Sequence, residues 1–256
     1  MDEARDSLAA VRGEIIECRR CPRLVEFRER VARVRKREFE RDVYWGRPVP
    51  GFGDPLARLV VVGLAPAAHG ANRTGRVFTG DRSAAFLVRA LFEAGFANQP
   101  TSRSRGDGLR YRDLYLTAAV RCVPPDNRPR PDERDRCAPF LERELRLLTE
   151  ARAYLALGAF AWEAVRDAAA RTFRVEVPRA PFAHGRCVPL GPGRPLLWAS
   201  YHPSPQNTNT GRQTLAMLVD LLARIRAGWE LSTAGPEGRR RPAGSGPPRP
   251  AAAPQA

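Results

Sequence analysis

The segment Leu59-Val60-Val61-Val62-Gly63-Leu64 constrains the fold more than any other part of the chain. It is a continuous apolar, β-branched run that stops at glycine, the pattern of a strand covered on both faces. Runs of the same character recur at 114–122, 154–157 and 196–201. Helical patterning separates them at 83–94, 131–150 and 159–171, and a last amphipathic helix is predicted over 213–228. Strands that alternate with helices pair in parallel, because each crossover lays a helix on the sheet. The expectation is therefore an α/β fold: three α/β/α layers around a central, mostly parallel, four-stranded sheet.

The flanks divide the chain further. Two charged helices are predicted over 3–20 and 24–41, so residues 1–57 read as a helical arm and 58–230 as the α/β core. The stretch 98–110 is rich in Ser, Arg and Gly and reads as a protruding loop. Residues 231–256 are Pro, Gly, Ala and Arg with little to bury, a composition expected to remain disordered.

Charge narrows the function classes. A formal net charge of +15 on 256 residues favours a polyanionic partner, nucleic acid before an anionic membrane surface. The excess is almost entirely arginine; Lys36 is the only lysine. The basic run 28–37 suits either a phosphate contact or a solvated helix face. No apolar run reaches 18 residues, so no membrane span is expected, and the acidic opening Met1-Asp2-Glu3 lacks the secretory pattern. A cytoplasmic, nucleoid-associated monomer is expected. Five cysteines in a reducing compartment then argue for metal or cluster ligation over disulfides.

Ligands of open α/β sheets bind at the carboxyl ends of the strands, and two unusual segments stand there. The first strand runs into GLAPAAHGANRTGRVFTGD, nineteen residues from Gly63 to Asp81, long for such a loop and rich in small residues that let backbone approach a ligand. The last strand runs into HPSPQNTNTGR, from His202 to Arg212, stiffened by prolines. Together they closely resemble the two active-site motifs of the family 5 uracil-DNA glycosylases, the UDGb group. The likeness extends from about Cys18 to Arg226 and includes the cysteine arrangement.

Cys18 and Cys21 form a C-x2-C pair, and Cys122 and Cys137 bracket a Pro-rich stretch. Four thiolates suit zinc or an iron–sulfur cluster equally, and spacing does not choose between them. The resemblance implies a 4Fe-4S cluster that ties the arm to the loop after the second strand and sets Arg19, Arg20, Arg128 and Arg130 near DNA. Cys187 is left over and reads as a small buried hydrophobe.

The implied activity is excision of uracil from DNA after the nucleotide rotates out of the duplex. Phe78 matches the family's stacking aromatic; a core phenylalanine is the alternative. His202 matches the donor to the departing base, an oxyanion-type role. Gly63 and Ala65 belong with the substrate-binding backbone, Asn207 with the flipped nucleotide or its phosphate, and Gln206 with a wedge into the stack. Related families carry a polar or acidic residue just after the first strand. Here Leu64-Ala65-Pro66-Ala67 has none, as in family 5, which leaves Asn72 and Asp81 to orient water, with helix capping as the other reading of Asp81. Other branches place an asparagine four residues before the third cysteine; Ala118 stands there, which implies a permissive pocket that also accepts hypoxanthine and xanthine. The scarcity of lysine implies a monofunctional enzyme. A zinc-stabilised, non-catalytic nucleic-acid-binding protein accounts for the charge and cysteines, though not for the two framed loops. No Walker loop or magnesium-type carboxylate cluster suggests a nucleotide hydrolase.

Overall fold

The computed structural model describes residues 6–233. Strands β1 (Phe52–Gly53), β2 (Leu59–Gly63), β3 (Leu114–Ala118), β4 (Ala153–Leu157), β5 (Cys187–Pro189) and β6 (Leu196–Ser200) form one sheet in the order β1-β3-β2-β4-β6-β5. The four strands expected from the sequence, β2, β3, β4 and β6, pair in parallel at its centre. The expectation of four strands is corrected by β1 and β5, which cap the two edges antiparallel. Both are two or three residues long and lack an apolar run, so no local pattern marks them. Phe52 and Gly53 lie within the stretch read as the arm, yet pair with Leu116 and Tyr115.

Strand alternation sorts the central residues onto two faces. Leu59, Val61, Leu116 and Leu155 pack on one side with Leu87 and Leu91 of α4 (Arg82–Glu93) and Leu218, Leu221 and Ile225 of α8 (Leu215–Thr233). Val60, Val62, Tyr154 and Ala156 pack on the other with Leu141 and Leu145 of α5 (Pro131–Leu147) and Trp162 and Val165 of α6 (Ala159–Phe173). The three layers follow directly. The chain leaves β2 towards β3 over the first face, then returns across β2 to β4 over the second. That reversal makes the carboxyl ends of β2 and β4 the switch point of the sheet, the place where open α/β sheets bind ligands.

The arm is shorter in regular structure than its charge pattern predicts. Helix α1 (Leu8–Ile16) starts at Ser7, whose hydroxyl accepts the Ala10 amide. Helix α2 (Pro22–Val34) ends at Arg35, whose φ of +56° breaks the helix, and a 3-10 turn follows at Arg37–Phe39. Val11 and Ile15 pack on Phe140 and Cys137, and Leu24 packs on Val120 and Cys122. Ion pairs from Arg143 to Asp6 and Glu14, and from Arg23 to Glu133, fasten the two arm helices to α5. Among the described residues no helix is long and apolar enough to cross a membrane. Helix α8 continues to Thr233, past the expected start of the tail, and residues 234–256 lie outside the described part.

Candidate active site

The loop after β2 is anchored before it reaches the ligand face. One helical turn, α3 (Ala71–Thr74), ends at Gly75 with φ +72°, and the Arg73 and Asn72 carbonyls accept the Trp45 and Gly46 amides. Three residues later Phe78 adopts φ +46°, a left-handed conformation that costs an aromatic residue about 1–2 kcal/mol. The strain sets the ring over the end of β2: a Cβ on Gly63 would lie 2.7 Å from it. Gly63 is thus glycine because Phe78 occupies the space above it.

His202, just past β6, faces the same ring, with centroids 6.3 Å apart and planes at 34°. Its loop is held from two sides. The Asn207 amide donates to the His202 carbonyl at 2.8 Å, and the Tyr201 N–H donates to His184 Nδ1 at 3.2 Å. Gly158, at the end of β4, is required by its φ of +93°, and its Cα side faces His202 at van der Waals distance. Burial brings the His202 pKa down to about 4. The imidazole is therefore neutral at ordinary pH and still carries one N–H to donate.

The remaining candidates fall in different places. Ala118 pairs with Gly63 across the β2–β3 ladder, which puts a methyl group on the floor beside Phe78. Ala65 packs towards Leu24, Val120 and Cys122. Gln206 is exposed on α7 (Pro205–Asn209), whose Asn209 accepts a bond from Arg82 and so links the two motif loops. Asn207 has its amide nitrogen engaged within its own loop. Asn72 is 0% exposed; its amide nitrogen donates to the Arg28 carbonyl and fastens loop to arm, while its Oδ1 is buried without a hydrogen-bond partner. Asp81 caps α4 by accepting the Ala84 amide at 2.9 Å. Its second oxygen lies against Gly70, where a Cβ would come within 1.9 Å, and burial raises its pKa. Asp81 also lines a cleft of about 820 Å³ shared with His69, Arg73, Arg82, Arg103 and Lys36. Lys36, remote in sequence from both motifs, is thus on the wall of that cleft, paired with Glu38.

The stretch 98–110 does not simply protrude. Ala97 bridges to Tyr111, and buried Ser102 packs against the Phe78 segment. Within it Ser102 and Asp107 both pair with Arg76, far away in sequence.

Cys18, Cys21, Cys122 and Cys137 line one small cavity, although among the described residues no three His, Cys, Asp or Glu side chains gather as a site for a single metal ion. Burial pushes Cys122 up to about 11 and Cys137 to about 12, so a bound group would have to displace their protons. The surroundings suit an anionic, sulfur-rich group. Arg28 is 2% exposed; it donates to Cys122 Sγ at 3.1 Å and its Nε is unpartnered, while the Arg121 amide donates to Cys137 Sγ. Cys187 overturns its expected burial: it is exposed on edge strand β5, where Val188 takes the inward position.

Comparison with known proteins matches this geometry. The family described as the uracil DNA glycosylase superfamily matches residues 50–226. A type-5 uracil-DNA glycosylase of Thermus thermophilus is 55% identical over 205 residues, 80% of this chain and 90% of its own. One from Pyrobaculum aerophilum is 49% identical over 215 residues, covering 84% and 90%. A type-4 enzyme of Sulfurisphaera tokodaii is 29% identical over 144 residues, covering 56% and 51%. With the two motif loops meeting at the switch point and identity of this extent, the chain belongs to the uracil-DNA glycosylase superfamily and, within it, to the type-5 uracil-DNA glycosylases, hydrolases of N-glycosyl bonds.

Proposed function

We propose that this uracil-DNA glycosylase takes the flipped base between the Phe78 ring and His202, and that its pocket admits hypoxanthine and xanthine as well as uracil. The observation that carries the reading is the Phe78 ring lying across Gly63 and facing His202 at 6.3 Å. Breaking the N-glycosidic bond builds positive charge on the sugar and negative charge on the departing base. Phe78 stacks on the base, and the neutral His202 imidazole donates to the base oxygen as charge develops there. Donation from a half-buried group at the end of β6 is worth more than in open water, because less solvent competes. Asn207 holds the His202 loop in shape and offers its carbonyl oxygen to the nucleotide, while Gln206 is exposed where a wedge must be.

Asp81 orients the attacking water. One oxygen caps α4 and the other is held at Gly70 beside the large cleft, and burial raises its affinity for a proton. Asn72, whose buried Oδ1 has no hydrogen-bond partner, is the other candidate for that role. Breadth of substrate rests on Ala118, which offers no amide to read the base edge at a position adjacent to Gly63. A bidentate amide contact discriminates by roughly 1–3 kcal/mol, and its loss flattens preference among bases.

The four thiols Cys18, Cys21, Cys122 and Cys137 would hold the 4Fe-4S cluster, whose contribution when bound is structural. Support comes from their common cavity and from the Arg28 and Arg121 donors aimed at two of the sulfurs. Arg19, Arg20, Arg128 and Arg130 are all exposed on that side of the arm and the adjoining loop, as DNA contacts require. The enzyme acts as a monomer at the nucleoid and leaves an abasic site intact. Lys36 sits exposed in an ion pair, unlike the desolvated lysines that form Schiff bases.

The test is base release from duplexes that contain uracil, hypoxanthine, xanthine or ethenocytosine, with Phe78→Ala and His202→Ala alongside and borohydride added to a parallel set. Release from several bases, lost in both variants, with no trapped adduct supports the reading. Strict uracil release refutes the permissive pocket. An adduct absent from Lys36→Ala refutes monofunctional chemistry.

A further inference from the structure

We infer that Ser102, held in place by Arg76 and Asp107, is a positioning residue for base excision: it fixes the Phe78 ring through the Phe78 carbonyl. The inference rests on Phe78 being the stacking face.

Phe78 is a bulky residue with φ +46°, and such a conformation persists only where the surroundings over-determine it. The surroundings here are the turn 102–107, which grips the Phe78 segment at three points. At its start, Arg105 Nη2 donates to the Gly75 carbonyl at 3.0 Å. At its end, the Gly80 amide donates to the Ser102 carbonyl at 2.9 Å. In the middle, the Ser102 hydroxyl donates to the Phe78 carbonyl at 3.0 Å.

A hydroxyl has one proton and two acceptor sites, so its direction depends on what else it meets. Arg76 Nη2 donates to Ser102 Oγ at 3.0 Å, and Thr79 Oγ1 lies 2.8 Å from the same oxygen. Arg76 Nε in turn donates to Thr79 Oγ1 at 2.9 Å. Arg76 fills one Ser102 lone pair; either hydroxyl of the Ser102–Thr79 contact can donate, Thr79 also has the Val77 carbonyl at 3.2 Å, and the Phe78 carbonyl lies in reach of the Ser102 proton at 3.0 Å. Arg76 is itself 4% exposed, and a buried guanidinium needs an anion. Asp107 supplies it at 2.8 Å and accepts the Arg103, Ser104 and Leu109 amides besides. Burial acts to raise the Asp107 pKa; the Arg76 bond and those amides outweigh it and bring the group to about 2, so the carboxylate stays charged at any working pH. The chain of contacts runs from Asp107 through Arg76 and Ser102 to the backbone of the residue that covers the base.

Ser102→Ala and Asp107→Asn test this in the full-length protein, with Phe78→Ala as reference. Expected are a kcat for uracil release lowered about tenfold, the loss of one well-placed hydrogen bond, and binding to an abasic-site duplex within about twofold of wild type. An abasic duplex has no base to stack, so a misplaced ring leaves its affinity alone. Release at the wild-type rate in Ser102→Ala overturns the inference, and so does a matching loss of abasic-duplex binding, which signals general damage to the loop. If Asp107→Asn does not fold, Ser102→Ala decides. Should Phe78→Ala release uracil normally, the stacking role itself fails. Should Phe78→Ala be inactive while Ser102→Ala is normal, only the positioning role fails.

Discussion

Lowering the pH from 8 to 4 separates a neutral His202 from a charged one. Burial moves its pKa from 6.5 to about 4. In the unfolded chain the same ring titrates near 6.5, so between those values the unfolded state binds a proton that the folded state refuses. Stability contributed by the neutral ring is complete above 6.5. It declines as pH falls through that window and levels off below about 4, a loss of about 3 kcal/mol at 1.36 kcal/mol per pH unit. Burial also lowers His69 and His184, so denaturant melts across the window are compared with His202→Gln, which removes one ring's share of the slope. The decisive assay is kcat/KM against pH, which reports the free enzyme. The expected profile shows no break from His202 between 6 and 7 and a fall only towards 4, and NMR titration of the ring gives the same midpoint. An inflection near 6.5 that vanishes in His202→Gln would refute the argument, because it would mean that water reaches the ring and its pKa is not depressed.

Gly63→Ala puts a methyl group 2.7 Å from the Phe78 ring, so the ring must shift; base release is expected to fall roughly 10²-fold, as misplacement of about 1 Å can cost. Wild-type single-turnover rates in a folded variant would contradict this. Glu144→Gln leaves Arg121 buried without its counter-charge, where both side chains are 1% exposed and Glu144 also accepts from Thr117. A loss of about 3–5 kcal/mol is expected in denaturant melts, and a loss below about 1 kcal/mol would contradict it.

The central strands and the candidate pocket were legible because their signals are local. Val60, Val61 and Val62 announce a buried strand within three residues, and glycine at 63 marks its end. The two motif loops stand directly after β2 and β6, so strand assignment alone carries Phe78 and His202 to the same edge. Elements that depend on partners were not legible. β5 exists because Cys187 and Val188 pair with Trp198 and Leu197, and that edge position is what exposes Cys187. Nor was the packing of Asn72 under the arm legible, where its amide nitrogen donates to the Arg28 carbonyl. Asp107 and Ser102 sit in a stretch of loop-forming composition, and only the return of Arg76 from 26 and 31 residues away gives them a role.

The basic excess therefore carries two meanings at once. The exposed arginines, among them Arg82, Arg103, Arg128 and Arg130, suit a phosphate backbone. Arg28, Arg76 and Arg121 are each at most 4% exposed and cannot face DNA directly. Arg76 instead spreads its planar fork over Asp107, Ser102 and Thr79, and Arg121 over Glu144 and Thr117, while Arg28 bonds Cys122 Sγ and the Cys18 carbonyl through one nitrogen. An ammonium is a compact point charge and lacks that rigid fork. A chain with a single lysine thus places a buried guanidinium at the thiol cavity, at the Phe78 segment and beneath β3. Composition alone gives all three the appearance of a nucleic-acid footprint; burial separates the arginines that would hold the DNA from those that hold the site.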